Sequence, residues 1–142
     1  VKAIEGWPTV ITFTGGGKFA ELMSTGECLA KCPKTNPVRR VYELYFKGEV
    51  KNRHSADQIA TLIVIRGTSS PWKLVKTGYN HIFPDGRHEW RETPDNPKHE
   101  YISALEDGAD PKKVTATIEE LMTHEPAGKQ APADLRDDNK RP

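Results

Sequence analysis

Between Thr9 and Phe13 the chain reads Thr-Val-Ile-Thr-Phe, a run of β-branched and aromatic residues that stops at Gly15-Gly16-Gly17. Branching at Cβ suits the pleated, half-buried surface of a sheet, so this run predicts a first strand. Lys18 to Cys32 supports two readings. Phe19, Leu22 and Met23 fit one face of a helix, whereas Ser24-Thr25-Gly26 interrupts it and suits the turn of a short hairpin. Cys32-Pro33 and Asn36-Pro37 mark a loop. From Val41 to Val50, Tyr42, Leu44 and Phe46 alternate with Glu43 and Lys47, which predicts a half-buried strand. Ser55-Ala56-Asp57-Gln58 has the form of a capping box that opens a helix. The segment that follows, Ile59 to Arg66, is β-branched and runs into Gly67, so a strand paired with Val41–Val50 is the expectation there.

Two extended runs, Trp72 to Phe83 and Arg87 to Glu92, flank Pro84-Asp85-Gly86. Proline presets φ, aspartate bonds back to the backbone and glycine accepts a positive φ, so this predicts a hairpin, with Trp72 and Trp90 able to approach across it. The period then changes. Asn96 and Pro97 suit a cap and a first helical position, Gly108 suits the position just past a helix end, and Tyr101, Ile102 and Leu105 form a short apolar stripe. A second helix is predicted from the Asp110 cap and Pro111, with Val114, Ile118, Leu121 and Met122 on one face. Lys112 and Lys113 at its start and Glu119 and Glu120 near its end oppose the helix dipole. Docking of the apolar stripe on the sheet must offset that, and Leu121→Ala is expected to cost about 2–5 kcal/mol.

Together these elements predict an α+β domain over residues 1–124. It comprises a mainly antiparallel meander of hairpins followed by two C-terminal helices. A polar, extended tail follows over 125–142, where Leu135 is the only large apolar residue. The chain has 142 residues, 35% hydrophobic and 29% charged, which suits one domain with its own core. The longest apolar run, Leu62-Ile63-Val64-Ile65, falls far short of a membrane span of about 20 residues. No signal-peptide pattern opens the chain.

The net charge of +1 conceals a division: residues 1–92 carry 14 Lys and Arg against 9 Asp and Glu, and residues 93–142 carry 7 against 11. An acidic partner for the body, or a tail that lies over it, would both suit this split. Two cysteines, Cys28 and Cys32, are too few for a disulfide scaffold. They are expected as small buried or half-buried thiols, with a local disulfide or half of a structural zinc site as the alternatives.

Gly15-Gly16-Gly17-Lys18 follows a strand, but the first glycine of a phosphate-binding loop is missing and Phe19 stands where that motif needs Ser or Thr. No Gly-x-Ser-x-Gly elbow is present. The run Asn80-His81-Ile82-Phe83-Pro84 with Asn96 and His99 resembles the HNH family of metal-dependent nucleases over about 20 residues. The resemblance implies His81 as the group that activates water, with Asn96 and His99 in support. The sequence departs from the family in the close spacing of Asn96 and His99 and in the tight turn that replaces a glycine-rich loop.

Basic and aromatic residues also interleave, in Arg39, Arg40, Tyr42, Tyr45, Lys47, Lys51 and Arg53, and in Trp72, Lys73, Lys76, Tyr79 and Arg87. Single-stranded nucleic acid is held by such mixtures, with bases on rings and cations on phosphates. With no complete catalytic motif and no cofactor signature, the leading expectation is a non-enzymatic subunit or binding module of a larger assembly. A protein partner or a second copy would contact the 125–142 tail. Nucleic-acid binding on the basic residues and a nuclease site around His81 are the alternatives.

Overall fold

The computed structural model describes residues 2–14 and 18–125. In chain order it contains α1 (Lys2–Glu5), β1 (Ile11–Thr14), α2 (Lys18–Glu21), β2 (Ser24–Thr25), a 3-10 helix (Glu27–Lys31), α3 (Pro37–Tyr45), β3 (Arg53–His54) and α4 (Ala56–Arg66). There follow β4 (Trp72–Val75), β5 (Tyr79–Ile82), β6 (His88–Arg91), β7 (His99–Leu105) and α5 (Pro111–Thr123). The fold is mixed α+β, but helices and strands alternate along the chain. The glycine loop Gly15–Gly17 and the tail from residue 126 onward lie outside the described residues. No helix among the described residues is long and apolar enough to cross a membrane.

Three strands form the central sheet in the order β1-β7-β4. β1 runs parallel to β7, from Ile11 opposite His99 to Thr14 opposite Ile102. β4 runs antiparallel on the other edge. Residues 99–105 are therefore a strand where the sequence predicts a helix behind Asn96 and Pro97. The cause of the misreading is a register shift. Trp72 faces Leu105 and Lys73 faces Ala104, but Leu74 faces Ile102, so Ser103 is the extra residue of a bulge. The bulge breaks the two-residue period and brings Ile102 and Leu105, three apart, to the same side as Trp72 and Leu74. All four belong to the core or pack against it. In sequence that spacing imitates a helical stripe. Asn96 caps no helix; its Oδ1 accepts the Lys98 N–H at 3.0 Å and closes a turn.

Two predicted strands are helices. Asn36 and Pro37 do not mark a loop: the Asn36 Oδ1 accepts the Arg39 N–H at 2.9 Å and Pro37 occupies the first turn, so they start α3. Tyr42 and Phe46 do share a side, as i and i+4 of a helix end, but Leu44 is 64% exposed, which the strand reading did not allow. The 59–66 segment lies within α4, with Ile59, Leu62 and Ile63 buried at helical spacing. No hairpin joins it to 41–50. The capping-box reading was closer, although its serine does something else. Ser55 is fully buried, and its hydroxyl pairs with the Thr25 hydroxyl at 2.8 Å instead of capping. Its N–H donates to the Met23 carbonyl at 3.0 Å. Of the two readings for 18–32 the helix forms in part, as α2, while the hairpin through Ser24-Thr25-Gly26 does not: Ser24–Thr25 is the strand β2, paired with the distant β3. Gly26 follows β2 with φ 140°, where a Cβ would overlap the Tyr42 ring, so glycine is required on two counts.

α5 forms as predicted, with the Asp110 carboxylate accepting the Lys112 N–H at 2.9 Å and Pro111 in the first turn. Val114, Ile118 and Met122 are buried, while Leu121 is 54% exposed. The helix packs mainly on β2, the 3-10 helix and α4. The expectation for Leu121 therefore transfers to its neighbour. Ile118→Ala is expected to lower the unfolding free energy by about 2–5 kcal/mol, and Leu121→Ala by roughly 0.5 kcal/mol. Urea denaturation of the two variants measures the contrast.

Candidate functional site

The Pro84-Asp85-Gly86 turn forms as its residues dictate. Gly86 has φ 89°, the Phe83 N–H donates to the Arg87 carbonyl at 2.8 Å, and the Asp85 Oδ1 accepts the Arg87 N–H at 3.0 Å. The turn joins β5 to β6, with Asn80 opposite Trp90 and Ile82 opposite His88. Cross-strand partners share a face, so Asn80, Ile82, His88 and Trp90 line one side of the hairpin and Tyr79, His81, Glu89 and Arg91 the other. The first side meets the central sheet. Trp90 packs on Tyr101 at 4.4 Å between ring centroids and edge-to-face on Phe13 at 6.4 Å. Trp72 takes no part, being buried against Phe19 at 6.1 Å. The close approach has a backbone condition at Gly78 (φ 92°), where a Cβ would strike the Arg91 carbonyl oxygen and the indole. An open cleft of about 810 Å³ remains between the hairpin and the β1 side of the sheet, lined by Phe13, Trp90, Tyr101 and Asn80 among others.

The three nuclease candidates do converge. His81, Asn96 and His99 line an adjoining, smaller cleft of about 240 Å³ beside Ile4 and Asn80. Structural tasks already occupy them. The His99 Nδ1 accepts the Asn80 N–H at 3.2 Å, and its ring stands edge-on to Phe13 at 5.4 Å. An accepting Nδ1 places the neutral ring's proton on Nε2. Asn96 holds its turn, and its carbonyl accepts the His99 N–H at 2.9 Å. His81 packs between Tyr79 and Phe83 at 6.0 and 4.6 Å. Among the described residues no three His, Cys, Asp or Glu side chains are grouped to hold a metal. Cys28 and Cys32 are both free thiols, at the start and just past the end of the 3-10 helix. Burial, with the Glu119 carboxylate beside it, pushes the Cys28 thiol upward, away from the thiolate that metal binding and nucleophilic attack require.

The basic candidates are spread over separate elements, and most are engaged. The Arg39 guanidinium bonds Glu43 at 2.8 Å and donates to the Ala30 carbonyl at 3.1 Å and to that of Cys32, tying α3 to the 3-10 helix. That hydrogen bond, with Arg40 3.6 Å from the other carboxylate oxygen, holds the Glu43 carboxyl below its ordinary range. Lys51 pairs with Glu49. Arg53 lies over the Tyr45 ring at 4.1 Å. Lys47 sits at the end of α3 with φ 55°. On the sheet side, Lys73 is exposed, Lys76 is 3.9 Å from Glu100, and Arg87 pairs with Asp85 at 2.8 Å while lying over Phe83.

The most conspicuous surface was not anticipated. On the outer side of α4, Val64 is 84% and Ile65 72% exposed. Beside them an apolar groove of about 390 Å³ runs between α4 and α5, lined by Val38, Ile65, Ile118, Leu121 and Met122, with Asp57 and Arg66 at its rim. The signal was present in Ile59–Arg66, which is apolar all the way round once wound as a helix, but a strand reading hides it. Comparison with protein-family models, curated proteins and solved structures found no match.

His99 yields a test of the aromatic layer. Burial lowers its pKa from the usual value near 6.5. The unfolded chain thus binds the proton first as pH falls, so stability is full above about pH 6.5 and declines below it until the folded-state pKa is passed. The melting temperature is expected to fall between pH 7 and 5, and His99→Gln, which can accept the same N–H without titrating, to flatten that slope. Thermal melts at constant ionic strength measure both.

Proposed function

We propose that the protein is a non-catalytic subunit that assembles through the outer face of α4 and α5, and that a second copy of the chain occupies that face. The observation that carries this reading is the exposure of Val64 and Ile65 on a helix that is apolar on its inner side as well. A helix of that kind belongs in an interior. Covering one such side chain contributes about 1.5–3 kcal/mol, and the adjoining groove adds Leu121 and Met122 to the same surface.

An apolar face is complementary to itself, which supports a copy of the same chain as the occupant. A two-fold axis across α4 sets the two helices antiparallel, and the exposed Val64 and Ile65 of each copy are then covered by the other. An interface between identical patches must be self-complementary in this way, and the pairing of two helices from each chain is that of a four-helix bundle.

Sedimentation equilibrium is expected to give a dimer, and Ile65→Asp a folded monomer with unchanged circular dichroism. A wild-type monomer at about 100 µM, where any dimer with a dissociation constant well below that is populated, would sink the proposal. So would an Ile65→Asp dimer as tight as the wild type.

A further inference from the structure

The larger cleft, between the hairpin and the β1 side of the sheet, is a second site, independent of the α4 face. We infer that it binds a neutral, planar heteroaromatic ring that carries a hydrogen-bond donor and an acceptor on one edge, which is the chemistry of a nucleobase.

Three properties of the lining lead there. The first is ring chemistry: Phe13, Trp90 and Tyr101 come from three different strands and all line the cleft, with Ile82 beside them. Aromatic walls reward a flat, polarisable guest, and every base has a face that stacks on such a ring. The volume of about 810 Å³ lies within the range of small-molecule sites, about 300–1,000 Å³.

The second is the polar complement, which is sparse and directional. The Thr12 hydroxyl is committed to Glu100 at 2.7 Å. The Asn80 carboxamide has no hydrogen-bond partner among the described residues, although its backbone N–H is tied to His99. An amide presents one acceptor oxygen and donor hydrogens side by side, the arrangement that pairs bidentately with the edge of adenine. Asn80 stands directly across from Trp90 on the same face of the hairpin, so this amide lies next to the ring on which a base would rest. Thr14 and His88 also line the cleft, but Asn80 is the one amide there, and it can meet a donor and an acceptor on one edge at once.

The third is charge. Among the described residues no lysine or arginine lines the cleft. Its one carboxylate, on Glu89, is paired with Arg91 at 2.6 Å, and nearby Arg87 is paired with Asp85. His88 is the one basic side chain in the lining, and no lysine or arginine stands with it to hold a phosphate, whereas an uncharged ring system needs none. The shared chemistry is the base itself, either as a free nucleoside or as one unpaired position of a single strand.

Isothermal titration calorimetry of the full chain with adenosine tests this, with ribose and a single-stranded deoxyadenosine oligonucleotide as parallel arms. Adenosine is expected to bind and ribose is not. Asn80→Leu is expected to weaken adenosine about tenfold or more, the loss of one bidentate contact, at an unchanged melting temperature. Asn80→Asp, with the same shape but without the donors, keeps the test decisive should the leucine variant fail to fold. An oligonucleotide that binds more tightly than adenosine and weakens with salt identifies a strand as the source, because backbone phosphates then contribute. Equal affinity identifies the free nucleoside. The inference is overturned by no adenosine binding up to about 5 mM, by ribose binding as well as adenosine, or by Asn80 variants that bind unchanged.

Discussion

The structure turns on strand β7. Hydrogen-bonded along both edges and covered on both faces, it divides the protein into two layers. On one side Ile102, fully buried, joins the helical core of Ile59, Leu62, Val114 and Ile118. On the other, His99 and Tyr101 support the aromatic layer beneath the hairpin. The bulge at Ser103 lets one strand serve both layers, because it returns Leu105 to the core side after the alternation would have turned it away. Both candidate binding surfaces follow from that division: the apolar groove lies on the outside of the helical layer, and the aromatic cleft within the other.

What was legible in the sequence was local. The Asp110–Pro111 start of α5, the Pro-Asp-Gly turn and the first strand each depend on interactions within a few residues, and each forms where expected. The failures share a cause, which is that a short window carries more than one period. Tyr42 and Phe46 suit a strand face and a helix face equally, and only the Asn36 cap, read as a loop, separated the two. Ile59–Arg66 is β-branched, but tertiary burial of Ile59, Leu62 and Ile63 overrides that weak preference. The stripe in β7 was an i, i+3 pair created by a bulge, which pairing with β4 imposes.

The candidate sites divide similarly. His81, Asn96 and His99 were brought together as the sequence suggested, yet their hydrogen bonds and ring contacts make them supports of the hairpin. The aromatic cleft joins Phe13, Trp90 and Tyr101 from distant parts of the chain, and no local pattern links them. The exposed face of α4 depends on knowing that the segment is a helix. The buried hydroxyls of Thr25 and Ser55 were equally hidden: they satisfy one another, and Thr25 also reaches the Met122 sulfur at 3.6 Å, which fastens β2, α4 and α5 at one point without leaving a polar group unpaired.

The parallel pairing of β1 with β7 joins residues 88 positions apart, as Thr12 and Glu100 are. In kinetic terms this makes the N-terminal strand a latecomer. Helices α3 and α4 and the β5–β6 hairpin close through short-range contacts, whereas β1 has no partner until β7 has been made. At a synthesis rate of about 5–20 residues per second that interval is on the order of ten seconds. Trp90 and His99, the ring partners of Phe13, are likewise made 77 and 86 residues after it. Non-local pairings of this kind slow folding more than they alter stability. The aromatic layer can therefore be completed only once β7 has been made and β1 has found its place beside it.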